Sequence, residues 1–508
     1  MDGQKSRNER DGHHSCEVAR AADQSLTRVV DGDQVNVRLT ASIAVMTVAM
    51  SMAALETARA QTVNSAPVAL TKNDSATVAQ IDRFADSVIR AIPVAGMSIV
   101  VRQGSKTLVS RGYGVADVST NRPMSDTTAF RIGSITKTFT AIATMKLVEQ
   151  GRIDLDAPLS RYRPDIAAPT VTIRQLLNHT SGLPDHERPA IQQWMTQQKP
   201  ITSEFVLGFL KKTPARRAGT QWMYNNTGFH LLGYVIEKVS GMPYHEFIRR
   251  EIAGSAGLTA TWIDPVRPAG VDATQNYYLS ENRFTRDSAW DLPGIYSAGG
   301  MYSSAADLAR LLAALTAGRL VTPGTFAQMI QPTIMPNGVR ADYGLGVRLG
   351  SIGTHPKLGH TGSARSNRAA AAYYPRDSLV VVVLMNTEHE DILLSAIDIE
   401  GRIARTALGI STARRTDLRP GPAASKAYAG TYADAAVQSL ITERDGVLHL
   451  SRVGSTSPAI PLLYQGGEEW ADPEFAEFRF IFQKRGDRAI AMGRYDNGWF
   501  AGVRAKNQ

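Results

Sequence analysis

From Val78 to Ala91 the apolar residues fall at Val78, Ile81, Phe84, Ala85, Val88 and Ile89, the spacing of one helix face. Two alternating stretches follow, Gly96 to Arg102 and Thr107 to Gly114. Between them lies Gln103-Gly104-Ser105-Lys106, which predicts a β-hairpin. A second helical period runs from Ile135 to Val148. From about residue 155 to about 350 the pattern changes to helices separated by loops rich in Gly and Pro. The helices are expected at Thr172 to Asn178, Ser203 to Lys211, Thr227 to Val239, Pro243 to Ile252 and Ala305 to Ala317, so this stretch reads as an inserted all-helical region. Strand signals return at Gly344 to Leu349, Ala369 to Tyr374 and Leu379 to Met385. A helix from Ile392 to Leu408 closes the region. The expected class is α/β, with the strands before and after the insertion forming one antiparallel sheet flanked by helices.

Beyond a Pro- and Arg-rich linker at 412–425, two more hairpin patterns appear. Leu440 to Arg444 and Val447 to Arg452 flank Asp445-Gly446, and Phe478 to Gln483 and Ala489 to Arg494 flank Arg485-Gly486-Asp487. Residues 426–508 are therefore expected to form a small all-β C-terminal domain that folds separately, behind a larger domain at 76–411. At the other end, Leu39 to Leu55 carries no charge and Ala58-Arg59-Ala60 has the small-x-small form of a signal-peptidase site. Residues 1–60 are read as an N-terminal extension and signal peptide cleaved after Ala60, and 61–75 as a linker. A retained anchor is the competing reading, on a stretch short for a membrane span. Export to the periplasm or medium of a bacterium is the expected localisation.

Composition adds exclusions. The chain has 508 residues, of which 43% are hydrophobic and 20% charged, enough for two or three domains with sizeable cores. The net charge of +9 is spread along the chain without a Lys/Arg run or basic-aromatic interleaving, so no nucleic-acid partner is expected. The single cysteine, Cys16, lies in the segment expected to be removed, which excludes disulfides, thiolate metal sites and a cysteine nucleophile from the mature chain.

Candidate chemistry begins with Ser134 and Lys137, three apart at the head of the Ile135 to Val148 run, so that their side chains share a face. A free serine is a poor nucleophile, and a lysine in a partly dry pocket can lose its proton near neutrality. The unpaired N–H groups of a helix start also favour developing negative charge. In Trp222-Met223-Tyr224-Asn225-Asn226-Thr227-Gly228, a tyrosine that can share a lysine's proton and an amide that can hold a substrate amide stand just before a helix. Taken alone, Tyr224 reads as a core tyrosine and Asn226 as a helix N-cap. A third cluster, Leu358-Gly359-His360-Thr361-Gly362-Ser363, is expected to open a strand. Asn178 and His179 read as a structural turn, and Gly299-Gly300 as a tight backbone turn. His355, His360 and His389 lack the acidic or i,i+4 partners of a metal site, so no metal or cofactor is expected. Arg365 and Arg368 are candidates for a substrate carboxylate, with a plain surface role as the alternative.

Taken together, Ser134-x-x-Lys137, Tyr224-x-Asn226 and His360-Thr361-Gly362 resemble the serine β-lactamase and penicillin-binding protein superfamily, in its class C branch. Leu176-Leu177-Asn178-His179-Thr180-Ser181-Gly182-Leu183, Ser297-Ala298-Gly299-Gly300-Met301 and Tyr343-Gly344-Leu345-Gly346 are similar to that branch as well. The resemblance spans about residues 76 to 410, and the tail resembles, less specifically, the β domain appended to some members. It implies Ser134 as acylated nucleophile, Lys137 and Tyr224 sharing the proton traffic, and Asn226 orienting substrate. His360, Thr361, Gly362 and Ser363 would line the opposite wall, with an oxyanion hole made by the N–H groups of Ser134 and Ser363.

Class C β-lactamases have lysine where His360 stands. A histidine with a pKa of about 6.5 is mostly neutral at pH 7, so anionic lactams should be held less strongly. The resemblance thus implies a D-Ala-D-Ala carboxypeptidase, a D-aminopeptidase-like enzyme or an esterase, working through an acyl-enzyme. A class C-type β-lactamase and a non-catalytic binding or sensor protein are the alternatives. The partner expected is a small-molecule or peptide substrate (a D-amino acid peptide, an ester or a β-lactam), with the membrane touched only through the signal segment.

Overall fold

The computed structural model describes residues 70–507 apart from 92–93, 167–169, 188, 191, 194–201, 214, 282, 288–294, 390–394, 412–416, 435–436 and 474–477. The signal segment, Cys16, the cleavage position after Ala60 and parts of both linkers lie outside the described residues. Residues 72–75, expected in a linker, open the first helix, α1 (Lys72–Ala91). The reason is a reciprocal cap: Asp74 N–H donates to Thr71 Oγ1 at 3.1 Å and Thr71 N–H to Asp74 Oδ2 at 2.7 Å.

The hairpin of β1 (Gly96–Gln103) and β2 (Lys106–Asp117) precedes the helix α2 (Thr136–Glu149). The remaining strands of the main sheet are β3 (Arg348–Ile352), β4 (His355–Ala364), β5 (Asn367–Tyr374) and β6 (Leu379–Met385). Their order is β3-β4-β5-β6-β1-β2, antiparallel throughout. Every residue of β6 is buried, and alternate side chains enter different cores. Val380, Val382 and Leu384 face the cluster around α2, whereas Leu379, Val381, Val383 and Met385 face α1 and α5 (Ala396–Leu408). A sheet covered on both sides explains why this strand reads as an unbroken apolar run.

The region between β2 and β3 is mainly helical and contains α3 (Asn226–Ser240) and α4 (Ala305–Thr316). It also carries short strands absent from the sequence pattern. Met301–Ser304 pairs with Ala129–Arg131 and Trp262–Ile263, while Tyr277–Ser280 pairs with Arg283–Arg286 and Thr387–His389. The strand expected at Gly344 begins only at Arg348. Tyr343 to Val347 folds into a turn instead, with Gly344 N–H donating to Val347 O at 2.9 Å and Gly346 at φ 70°. Leu358 to Ser363 lies inside β4, which opens at His355.

The C-terminal region has its own core of Tyr428, Tyr432, Trp470, Phe480 and Phe482 among others. It is also joined to the main sheet. Its last strand, Trp499–Lys506, pairs with Gly430–Ala433 and Arg488–Asp496 and meets β3 at Gly350 opposite Trp499, so the two ladders form one sheet. Glycine permits that junction. A Cβ on Gly350 would lie 1.7 Å from Gly498 O, and one on Gly498 would lie 1.8 Å from Ser351 O. Trp499 then enters the core shared by α1, α5 and the main sheet. Beneath it Lys357 Nζ meets Glu400 Oε2 at 3.0 Å and Asn497 O at 2.6 Å, Tyr374 OH donates to Glu400 Oε1 at 2.5 Å, and Trp499 Nε1 donates to Glu400 Oε2 at 3.0 Å. Lys357 and Glu400 are both fully buried. A paired buried charge of this kind is costly to break, because the survivor is left without a partner.

Candidate active site

Ser134 sits in a single 3₁₀ turn, Gly133–Ile135, that feeds directly into α2. Gly133 has φ 51°, and a Cβ there would lie 2.5 Å from Ser363 O; one on Gly362 would lie 2.0 Å from Ile132 O. Only glycine lets the serine turn and β4 touch backbone to backbone. The backbone of Ser363 thereby lies directly against Gly133, the residue before Ser134.

The helix behind the turn is buried almost all round, its threonines included. Thr140 Oγ1 bonds Ser297 O at 2.6 Å and Tyr244 OH at 2.7 Å, and Thr138 Oγ1 bonds Gly346 O at 3.1 Å. These contacts satisfy the hydroxyls and leave α2 rigidly held, which fixes Lys137 one turn beyond Ser134. Lys137 is fully buried. Its Nζ lies 3.2 Å from Ser134 Oγ, 2.7 Å from Asn226 Oδ1 and 2.8 Å from Ala298 O. The carbonyl comes from the short helix Tyr296–Gly299, where the sequence indicated only a glycine turn.

Asn226 is free to make that contact because Asn225 is the N-cap of α3, its side chain accepting from Gly228 N–H at 2.8 Å. The amide of Asn226 is held from behind, with Nδ2 donating to Glu187 Oε2 at 2.5 Å and its backbone N–H to Asp185 Oδ2 at 2.7 Å. Tyr224 presents its ring face to Lys137 Nζ at 4.7 Å and to the Arg348 guanidinium at 5.3 Å. Its hydroxyl has no hydrogen-bond partner among the described residues.

An aromatic layer supports the tyrosine. His179, at φ 62°, packs between Trp222, Tyr224, Phe229 and Tyr343, and its Nδ1 accepts from Asn225 N–H at 3.1 Å. The turn read as structural therefore orients the loop that carries Tyr224 and Asn226. His360 belongs to the same layer. It is 1% exposed, with Nε2 3.0 Å from Tyr343 OH and Nδ1 2.6 Å from Thr361 O. Burial, with Arg348 and Lys137 nearby, pushes its pKa well below the ordinary value, so it is neutral. Its side chain thus packs in the wall, while Thr361, Gly362 and Ser363 line the cavity.

That cavity, of ≈ 320 Å³, is lined by Ser134, Tyr224, Arg348, Thr361 to Ser363, Arg368, Ser395 to Ile397 and Asp496. Of the two arginines singled out from sequence, Arg368 reaches it, with Nη1 donating to Ser363 Oγ at 2.8 Å, but its charge is paired with Glu388. Arg365 turns to Asp287 at 3.1 Å. The sequence reading missed Arg348, which donates to Phe500 O at 2.6 Å, and Asp496, which the tail delivers. Arg348 follows the Tyr343 turn closely enough to have been flagged, whereas nothing local ties Asp496 to Ser134.

Residues 83–398 match the family described as Beta-lactamase. Penicillin-binding protein 4* of Bacillus subtilis is 27% identical over 320 residues, covering 59% of this chain and 71% of its own. Esterase EstB of Burkholderia gladioli is 27% identical over 298 residues, covering 51% and 76%. Among solved structures, the D-amino acid amidase of Ochrobactrum anthropi superposes with a TM-score of 0.56 at 26% identity, over 67% of this chain and 98% of its own. The octameric penicillin-binding protein homologue of Pyrococcus abyssi shares the fold with a TM-score of 0.58 at 23% identity, over 84% and 99%.

Proposed function

This chain belongs to the beta-lactamase family, whose relatives here are penicillin-binding proteins, an esterase and an amidase of the serine hydrolase superfamily, and from that premise we propose that it cleaves an amide or ester through an acyl-enzyme on Ser134. The observation that carries the proposal is the setting of Lys137 Nζ. Two of its three contacts, Asn226 Oδ1 and Ala298 O, are pure acceptors and fix two N–H bonds. The third direction faces Ser134 Oγ, where a proton can pass either way.

In the proposed cycle Ser134 Oγ attacks the carbonyl carbon as its proton moves to Lys137 Nζ, 3.2 Å away, with the Tyr224 ring face against that amine at 4.7 Å. The oxyanion develops against the N–H groups of Ser134 and Ser363. Collapse expels the amine or alcohol, which takes that proton, and water then hydrolyses the ester. Asn226 would orient the substrate, and Thr361 to Ser363 would form its second wall.

Within this chemistry we favour a D-amino acid peptidase or amidase, or an esterase, over a β-lactamase, because the buried, neutral His360 offers no charge to a lactam carboxylate. The named activities of the relatives, esterase and D-amino acid amidase, point the same way. Export belongs to the proposal too. It rests on residues 39–60 and on the penicillin-binding relatives; among the described residues no helix is long and apolar enough to cross a membrane.

The test is labelling by a serine-directed phosphonate followed by kcat/KM for nitrocefin, a D-amino acid amide and p-nitrophenyl acetate. Ser134→Ala should abolish labelling. Labelling at another serine would refute the nucleophile, and a nitrocefin value of about 10⁶ M⁻¹s⁻¹ or more would make the enzyme a β-lactamase.

A further inference from the structure

The C-terminal region contributes one residue to the lining of the cavity at Ser134, and that residue, Asp496, is acidic. Asp496 stands at the end of the strand Arg488–Asp496, immediately before the turn Asn497-Gly498. The turn is anchored deep in the catalytic part. Asn497 O receives Lys357 Nζ, Asn497 Nδ2 donates to Asp398 Oδ1 at 2.7 Å, and Gly498 O receives Ser351 N–H at 3.1 Å. The position of Asp496 is therefore fixed from three sides, although its own carboxylate is almost unbonded. Among the described residues its one hydrogen bond is from the Asn497 amide at 3.4 Å, already engaged by Asp398. No basic side chain among the described residues lies within ion-pair distance of it. Asp398 is different, since it is satisfied by the Ser395 N–H and hydroxyl, both at 2.6 Å.

A carboxylate held rigidly on a partly dry cavity wall with no ion-pair partner in contact, Arg494 and Lys357 acting on it only from a distance, is a poor structural device, because burial of an unpaired charge costs stability. It is a good receptor for a cation. The cavity is at the small end of the range for small-molecule sites, so a ligand that touches Ser134 also meets the wall carrying Asp496. Arg348, the cation on the other side, has no carboxylate partner among the described residues either. It is held by Phe500 O and the face of Tyr224. The two unpaired charges are thus presented to one compartment.

We propose that Asp496 is an ammonium subsite: the substrate carries a free amino group that seats on this carboxylate while its carbonyl lies at Ser134. This deepens the acyl-enzyme reading and rests on it for the position of the carbonyl. Among the substrate classes above, it selects compounds with a free α-amino group over N-acylated peptides and simple esters. The selecting residue comes from the tail, so the tail takes part in specificity as well as stability.

The experiment has a binding arm and a turnover arm. In the binding arm, titration calorimetry on Ser134→Ala protein compares D-alaninamide with N-acetyl-D-alaninamide, with and without Asp496→Asn. The expected result is binding of the free amine that weakens by about 10- to 100-fold in the double variant, the value of one charge-assisted hydrogen bond, with the acetylated compound weak in both. In the turnover arm, Asp496→Asn in the active enzyme should lower kcat/KM for D-alanine p-nitroanilide through KM by a similar factor. The rate on p-nitrophenyl acetate should stay within about threefold, which also reports that the variant is folded. Equal losses on the amine and on the ester would overturn the subsite and make Asp496 structural. No preference for the free amine in the binding arm would overturn it even if Ser134 is labelled and esters turn over. Amine binding that depends on Asp496 without any Ser134 labelling would instead keep the subsite and sink the acyl-enzyme reading.

Discussion

Trp499→Ala tests how the tail and the hydrolase hold one another. Trp499 is 1% exposed, its ring packs under Lys357 Nζ at 4.2 Å, and its Nε1 donates to Glu400 at 3.0 Å. Removing a buried Trp costs about 3–5 kcal/mol through lost burial and the cavity left behind, and loss of a hydrogen bond to a charged group costs about 1.5–3 kcal/mol. The two terms overlap in space, so about 5 kcal/mol is the expected total, a large part of a stability of about 5–15 kcal/mol. The ring edge also supports Gly359, where an added Cβ would lie 3.3 Å from Trp499 Cη2. Residues next along that strand line the cavity, so activity should fall alongside stability. Urea unfolding followed by circular dichroism gives the number. Trp499→Phe, which keeps most of the packing but not the N–H, should lose about 1.5–3 kcal/mol. A cost below about 1 kcal/mol for the alanine variant would refute the claim that this contact joins the two parts.

Truncation after residue 425 is expected to give insoluble or inactive protein, because it strips partners from Lys357 and Glu400 and removes the Phe500 carbonyl from Arg348; a soluble, fully active fragment would contradict this. Lys137→Ala should lower the acylation rate by about 10²- to 10⁴-fold, measured as phosphonate inactivation, and a near-native rate would mean that Tyr224 manages alone. Asp496→Asn should be more stable than the parent at pH 7 by up to about 3 kcal/mol and no more stable below pH 4. The sign follows from burial, which pushes the Asp496 carboxyl up from 3.8 to about 6 despite Arg494 and Lys357, with Asp398 adding to the rise. The folded protein keeps that proton between pH 4 and 6 while the unfolded chain has lost it, so stability falls as pH rises through this window. Parallel melts at pH 3.5 and 7 check it, and a constant difference at both pH values would count against it.

The elements that pattern alone located were those with a strong local signal. Leu379 to Met385 occupies the expected bounds because seven consecutive apolar residues can only lie between two covered faces. The Ser134 helix, the Asn226 helix and both tail hairpins fall within a few residues of expectation for similar reasons. The errors came where tertiary contacts override local pattern. Residues 343–347 alternate like a strand, yet Gly346 bends them into the turn that receives the Thr138 hydroxyl. The threonines of α2 look like a polar face, but each finds a partner in the interior. Asn225 and Asn226 are adjacent and both suit a helix cap, and only the structure shows that the first caps while the second meets Lys137.

His360 and Asp496 show where substrate choice resides. The sequence argument took the charge at position 360 as decisive, and histidine does leave that strand without a cation. The positive charge nevertheless stays in the compartment, because Arg348 on the adjacent strand projects into it and rests on the face of Tyr224. Arg348 keeps that pose through Phe500 O, and the opposing negative charge comes from Asp496, so both depend on the last two strands of the chain. The proposed acylation machinery, by contrast, is assembled from the α2 turn, the loop before α3 and β4, and among the described residues no tail residue hydrogen-bonds Lys137. Changes in the tail should therefore move KM and substrate preference while leaving the intrinsic reactivity of Ser134 toward a small neutral phosphonate intact, provided the Trp499 contact is kept.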